Sequence, residues 1–166
     1  MPKHYTKILA LILLAAMLVL PACGNKAAAE THVADVSAYS QLVILCGNDL
    51  EEITNIILEK WDNAIKYGNG MSSYELEIAL YDARDAISRA ESYQAAIITA
   101  YKGIRKAPKG LEDIGEAANE LYTAFDDYYR FALNPSGSYI SYGNDNRAKK
   151  DAFIAKYRAL NLLIEP

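Results

Sequence analysis

The 166 residues carry 17 Lys and Arg against 21 Asp and Glu, for a formal charge of −4, and 52% of the side chains are hydrophobic. An acidic chain of this size makes one domain with one core and offers no polybasic surface, which argues against nucleic acid as a partner. Zinc-ligand spacing, a Gly-rich phosphate loop, a Ser-x-x-Lys pair and a dinucleotide fingerprint are all missing, so the reading is a non-enzyme with no cofactor and no metal.

The chain opens with Lys3 and Lys7 ahead of an apolar run over residues 8–20, followed by small residues. This is the charged, then apolar, then cleavable layout of an export signal, and the run is short for a bilayer span, which needs about 20 apolar residues. The end of the run, Leu20-Pro21-Ala22-Cys23 followed by Gly24, resembles the lipobox of bacterial lipoprotein precursors. The resemblance covers residues 1–24. It implies a signal peptide over 1–22, cleavage before Cys23, and a diacylglyceryl group on the Cys23 thiol. Membrane lipid then becomes a partner, and the protein lies outside the cytoplasm, on the cell membrane or in the outer envelope. An ordinary cleaved signal or an uncleaved anchor is the alternative.

Cleavage would remove Lys3 and Lys7 and leave 144 residues with 15 basic and 21 acidic side chains, a charge of −6. With Cys23 committed to lipid, Cys46 stands alone and no intrachain disulfide can form. His4 leaves with the signal, and His32 is assigned to the end of the tether. Residues 23–30 read as that lipidated tether, reaching about 25 Å at no more than ~3.6 Å per residue.

From residue 31 the apolar positions follow alternating steps of three and four: Val36, Tyr39, Val43, Cys46, Leu50, Ile53, Ile57 and Ala64. This predicts a bundle helix over 31–67. The seam keeps phase across Gly47, which favours one continuous helix, with a break into two as the alternative. Gly68-Asn69-Gly70 ends it, and Ser72 with Glu75 makes a capping box for a second helix over 72–106. Its seam is Leu76, Leu80, Ala83, Ile87, Ala90, Gln94, Ile97, Tyr101 and Ile104. After Pro108 and Gly110 a third helix, 111–133, carries Leu111, Ile114, Ala118, Leu121, Phe125, Tyr128 and Ala132. Residues 134–143 read as the one substantial irregular stretch, before a last helix over 145–164 with Phe153, Tyr157, Leu160 and Ile164 inside. Short connections make neighbours antiparallel, so the fold class is all-α: an up-down-up-down four-helix bundle over 31–166 with a long first hairpin.

At about 1.5 Å per residue the first two helices outreach the other two. The far end of the hairpin, with Trp61, Tyr67 and Tyr74, therefore needs covering by the 134–143 loop, and Tyr139, Ile140 or Tyr142 is expected beside Trp61. That loop, rich in Tyr, Ser, Gly and Asn, has the composition of adaptable recognition surfaces, so Tyr139, Ile140, Tyr142 and Trp61 are the candidate binding residues. At the other end Lys102, Arg105, Lys106 and Lys109 form a membrane-proximal basic cluster suited to anionic lipid, though cations also favour a helix C-terminus on their own account. Cys46 reads as a buried apolar side chain. The pairs Glu51-Glu52, Glu112-Asp113 and Asp126-Asp127 read as solvated faces.

The functional expectation is a membrane-anchored helical lipoprotein that binds or scaffolds another envelope protein. Two alternatives stand beside it. One is a small-ligand-binding or sensing accessory component, which needs an internal apolar cavity; the other is an enzyme or an inhibitor acting by protein contact, such as a phage-type exclusion lipoprotein.

Overall fold

A single 44-residue helix, α1 (Gly24–Tyr67), forms the axis against which every later element packs. The computed structural model describes residues 24–68 and 70–165; the expected signal peptide and Cys23 lie outside them. All eight seam residues named above for this helix are buried. The helix is continuous through Gly47. Ser40, Asp49 and Thr54 are buried beside the seam, which widens the buried face until α1 has neighbours on most sides. It is thus a central helix rather than one corner of a square.

The expected tether is helical. Residues 24–30 continue α1 seven residues beyond the predicted start, because Ala27, Ala28 and Ala29 are strong helix formers added to a helix that is already nucleated. His32 is a buried member of α1 and not part of a loose tether.

The return arm is α2 (Ser73–Asp82) and α3 (Arg84–Ile104). Ser72 caps α2 as predicted: its hydroxyl accepts from the Glu75 N–H, and its own N–H donates to Glu75 Oε2 at 2.7 Å. The predicted single helix is interrupted at Ala83, although backbone bonds from Ala83 N to Ala79 O and from Ile87 N to Ala83 O run through the break. Beside it the Arg84 guanidinium donates to the Tyr81 carbonyl and lies 4.3 Å over the Tyr81 ring, while Lys60 of α1 pairs with Asp82 at 2.8 Å. The predicted seam of this arm holds at Ala83, Ala90, Ile97 and Ile104 and differs elsewhere. Ala79, Ala83, Ala86, Ala90 and Ala100 are buried with Ile97 and Ile104, whereas Leu76, Leu80, Ile87 and Tyr101 are half-buried flanks. The bulky α1 seam leaves room only for small side chains on the facing helix, so the larger ones are pushed to its sides.

After a turn in which Gly110 takes a φ of +91°, α4 (Glu112–Leu133) buries Ile114, Ala118, Leu121, Phe125, Tyr128 and Ala132 of the predicted stripe, with Leu111 half-buried at its cap. α5 (Tyr139–Ile164) packs antiparallel to α4 and against α1. No strand occurs among the described residues, and the all-helical bundle stands, with five helices where four were predicted. Adjacent carboxylates diverge around a helix, and α1 uses this to hold two partners: Glu52 and Asp49 both meet Arg89 of α3, at 2.6 and 2.7 Å, while Glu51 meets Lys150 of α5 at 2.9 Å. Glu51 and Glu52, read as a solvated face, are about half exposed, at 46% and 51%, and make interhelical pairs as well.

Candidate functional site: the distal end of the bundle

The expected ten-residue loop is only five residues long. Ser138 accepts a hydrogen bond from the Ser141 N–H, and Ser141 Oγ accepts one from the Ser138 N–H, so a reciprocal cap starts α5 at Tyr139. Tyr139, Ile140 and Tyr142 therefore sit on a rigid first turn and not on an adaptable loop.

That turn separates their fates. Tyr142 is 0% exposed, with its ring 5.7 Å from Trp61 and stacked on Phe131 at 4.6 Å. The expected contact with Trp61 is made, and it makes Tyr142 a plug for the end of the core, out of reach of a partner. Burial pushes its phenol well above the ordinary range, and the hydroxyl has no hydrogen-bond partner in the structure. Trp61 and Tyr139 are half-buried. Ile140, one step round the helix from Tyr139, is 72% exposed.

Beside this turn an open groove of about 340 Å³ runs between Leu58 of α1 and the first turns of α5, lined also by Tyr139, Ile140, Gly143, Asn146, Arg147 and Lys150. Asn146 is only 8% exposed, and its Oδ1 is sealed without a partner. The unmet atom is thus an acceptor, shut off from the groove. Arg147 forms no ion pair among the described residues, and the Lys150 ammonium is shared with Glu51. Sequence reasoning missed Asn146, Arg147 and Lys150. Reading Ser138 and Ser141 as a cap would have set the helical register that brings Gly143, Asn146, Arg147 and Lys150 onto one face.

Farther out, the α1–α2 hairpin leaves Ile65, Tyr67 and Tyr74 exposed, Tyr67 at 87% and Tyr74 at 69%. A second open depression of about 300 Å³ lies there, lined by Lys60, Ala64, Tyr67, Glu75 and Ile78 among others. Searches of family models, curated proteins and solved structures find no match to the chain. The site therefore rests on its own geometry.

Lys102, Arg105, Lys106 and Lys109 are exposed at the opposite end, around the C-terminus of α3. The Tyr39–Tyr101 ring pair, 6.2 Å apart, sets their height along α1, and Gly24 lies 15 residues below Tyr39, about 22 Å at 1.5 Å per residue. Cys46 is buried with Sγ 3.5 Å from the Ala90 carbonyl oxygen, and burial pushes its thiol far up, as befits an inert core residue. Among the described residues no three His, Cys, Asp or Glu side chains gather closely enough to hold a metal ion, and no helix is long and apolar enough to cross a membrane.

Proposed function

We propose that this chain is a lipid-anchored helical module that presents its distal end to another protein of the cell envelope. The supporting observation is the placement of Tyr67, Tyr74, Ile65 and Ile140 as exposed aromatic and aliphatic side chains at the end of the bundle farthest from Gly24. Aromatic residues are the commonest anchors of protein interfaces, and grouped exposed apolar side chains mark recognition surfaces. The lipobox-like residues 20–23 supply the anchor in this reading, and Gly24 is the first residue of the rigid helix that ends at the tip.

A photo-crosslinking residue placed at Tyr67, with a second placed at Ala155 on the exposed flank of α5, tests the reading in intact cells. The expected result is a discrete adduct from position 67 that Tyr74→Ser abolishes, with none from 155. Equal labelling from both positions, or no adduct from the tip, would sink it. Mass spectrometry of the same protein reports the anchor independently: an unacylated start downstream of Cys23 removes the lipid and leaves the tip to be judged by its adducts.

A further inference from the structure

Granted the lipid anchor proposed above, on which this step rests, the cations at the lower end of α3 give the protein a second hold on the bilayer. Lys102, Arg105, Lys106 and Lys109 fall within eight residues of an acidic chain. All four are exposed, and none forms an ion pair among the described residues. Lys102 stands nearly opposite the buried Ile104 around the helix, on its outer side. The carboxylate that follows the cluster, Glu112, is turned back onto the Gly110 N–H at 2.8 Å. A helix dipole favours cations only within the last turn, so it does not account for Lys109, which lies beyond Pro108.

Two contacts fix the height of this cluster. The Tyr39–Tyr101 ring pair and the Cys46 bond to the Ala90 carbonyl run α3 down along α1, which brings Arg105 level with about residues 33–35. At 1.5 Å per residue that is roughly 15 Å above Gly24. Packed helix axes lie about 8–10 Å apart and side chains add about 5–6 Å, so the outer side of α3 stands roughly 15 Å from the α1 axis. An upright rod therefore holds the cations about two screening lengths from a surface at Gly24, where they feel little of its charge. A lean of about 45° toward α3 sets them on the headgroups, where each is drawn to anionic lipid.

We propose that Lys102, Arg105, Lys106 and Lys109 dock onto anionic phospholipid headgroups, so that the anchored module leans onto α3 on an anionic bilayer and pivots freely on a neutral one. The test uses the protein extracted from its own membrane and placed on vesicles of phosphatidylcholine, or of equimolar phosphatidylcholine and phosphatidylglycerol, each carrying a nitroxide-headgroup lipid as quencher. A dye is attached at Gly103→Cys, where an added Cβ meets nothing within 4 Å. A second protein carries it at Leu162→Cys, 81% exposed at a similar height on α5, whose Asn161 accepts from Ser40 of α1 at 3.1 Å. The dye at 103 should be quenched strongly on the anionic vesicles and weakly on the neutral ones, while the dye at 162 shows no such difference. Each cation near a charged surface favours contact about fivefold, so Lys106→Gln should lower the ratio of docked to free protein by about that factor. Replacing all four by Gln should abolish the lipid dependence, as should about 1 M salt, where the screening length falls to about 3 Å. Equal quenching at 103 on both lipids, quenching at 162 that rises with it, or persistence in the protein lacking all four cations would each overturn the proposal. Flotation of the same samples separates the two readings. Protein that floats with both vesicles but shows no lipid dependence at 103 overturns the docking and leaves the anchor; protein that floats with neither overturns the anchor, and the docking falls with it.

Discussion

Gly47 sits in the middle of α1, where glycine costs a helix about 1 kcal/mol relative to alanine, and Phe153 supplies the reason it is there. A Cβ at position 47 would lie 2.5 Å from Phe153 Cε1 and 2.7 Å from Cζ. The ring cannot retreat, being buried and flanked by Tyr128 at 5.9 Å. Gly47→Ala should therefore lower stability by about 1–3 kcal/mol through overpacking, despite its better helix propensity. Adding Phe153→Leu should recover much of the loss, and urea unfolding of the two single variants and the double variant would read the coupling. If Gly47→Ala alone is stabilising, α1 and α5 do not approach this closely. His32 offers a second test. Burial lowers its pKa from 6.5, opposed by Asp35, and its Nε2 has no partner. As pH falls below 6.5 the unfolded chain takes up the proton first, so stability present above that pH is lost through the acid range. The urea midpoint should drop more steeply between pH 7 and pH 5 in the natural protein than in His32→Leu; parallel curves would refute the assignment.

Among the elements, legibility followed the strength of the apolar period. The α1 seam and nearly all of the α4 stripe were readable because large side chains recur there at fixed steps, and burial of Val36 to Ala64 and of Ile114 to Ala132 bears this out. The return arm was legible in part: Ala83, Ala90, Ile97 and Ile104 of its predicted seam are buried, but hydrophobicity ranks Leu76 and Leu80 above Ala79 and Ala86, whereas space beside a bulky helix favours alanine. Residues 24–30 lack any apolar period, so nothing in them announces a helix that α1 extends from elsewhere. The start of α5 was missed because Ser at the third capping position is a weaker signal than Glu or Gln. The binding residues were legible only as a neighbourhood: the Trp61 contact was foreseen, but the early start of α5 hid Tyr142 and brought Asn146 and Arg147 to the groove. The cap carries that arrangement. Ser138→Ala should cost about 1 kcal/mol, and hydrogen exchange should speed up across residues 139–143 while α4 keeps its protection. Unchanged exchange there would show that packing of Tyr142 alone holds the turn.

At the scale of the molecule, one rod touches all other elements and outreaches them at its lower end. At its upper end the hairpin leaves Tyr67 and Tyr74 exposed near the first turn of α5; at its lower end α1 runs about 12 Å below His32, with residues 26–31 largely solvent-facing. The cations of residues 102–109 are consequently held part of the way up this stem instead of at its foot, which weakens their reach to any charged surface at Gly24 beyond a screening length of about 8 Å. The same continuity turns α1 into a lever. Forty-four residues at 1.5 Å each make an arm of about 66 Å, so a pivot of ten degrees at Gly24 would sweep Tyr67 through about 11 Å. In a protein held at Gly24, as proposed, stiffness at the base would then govern how wide an area the tip can search.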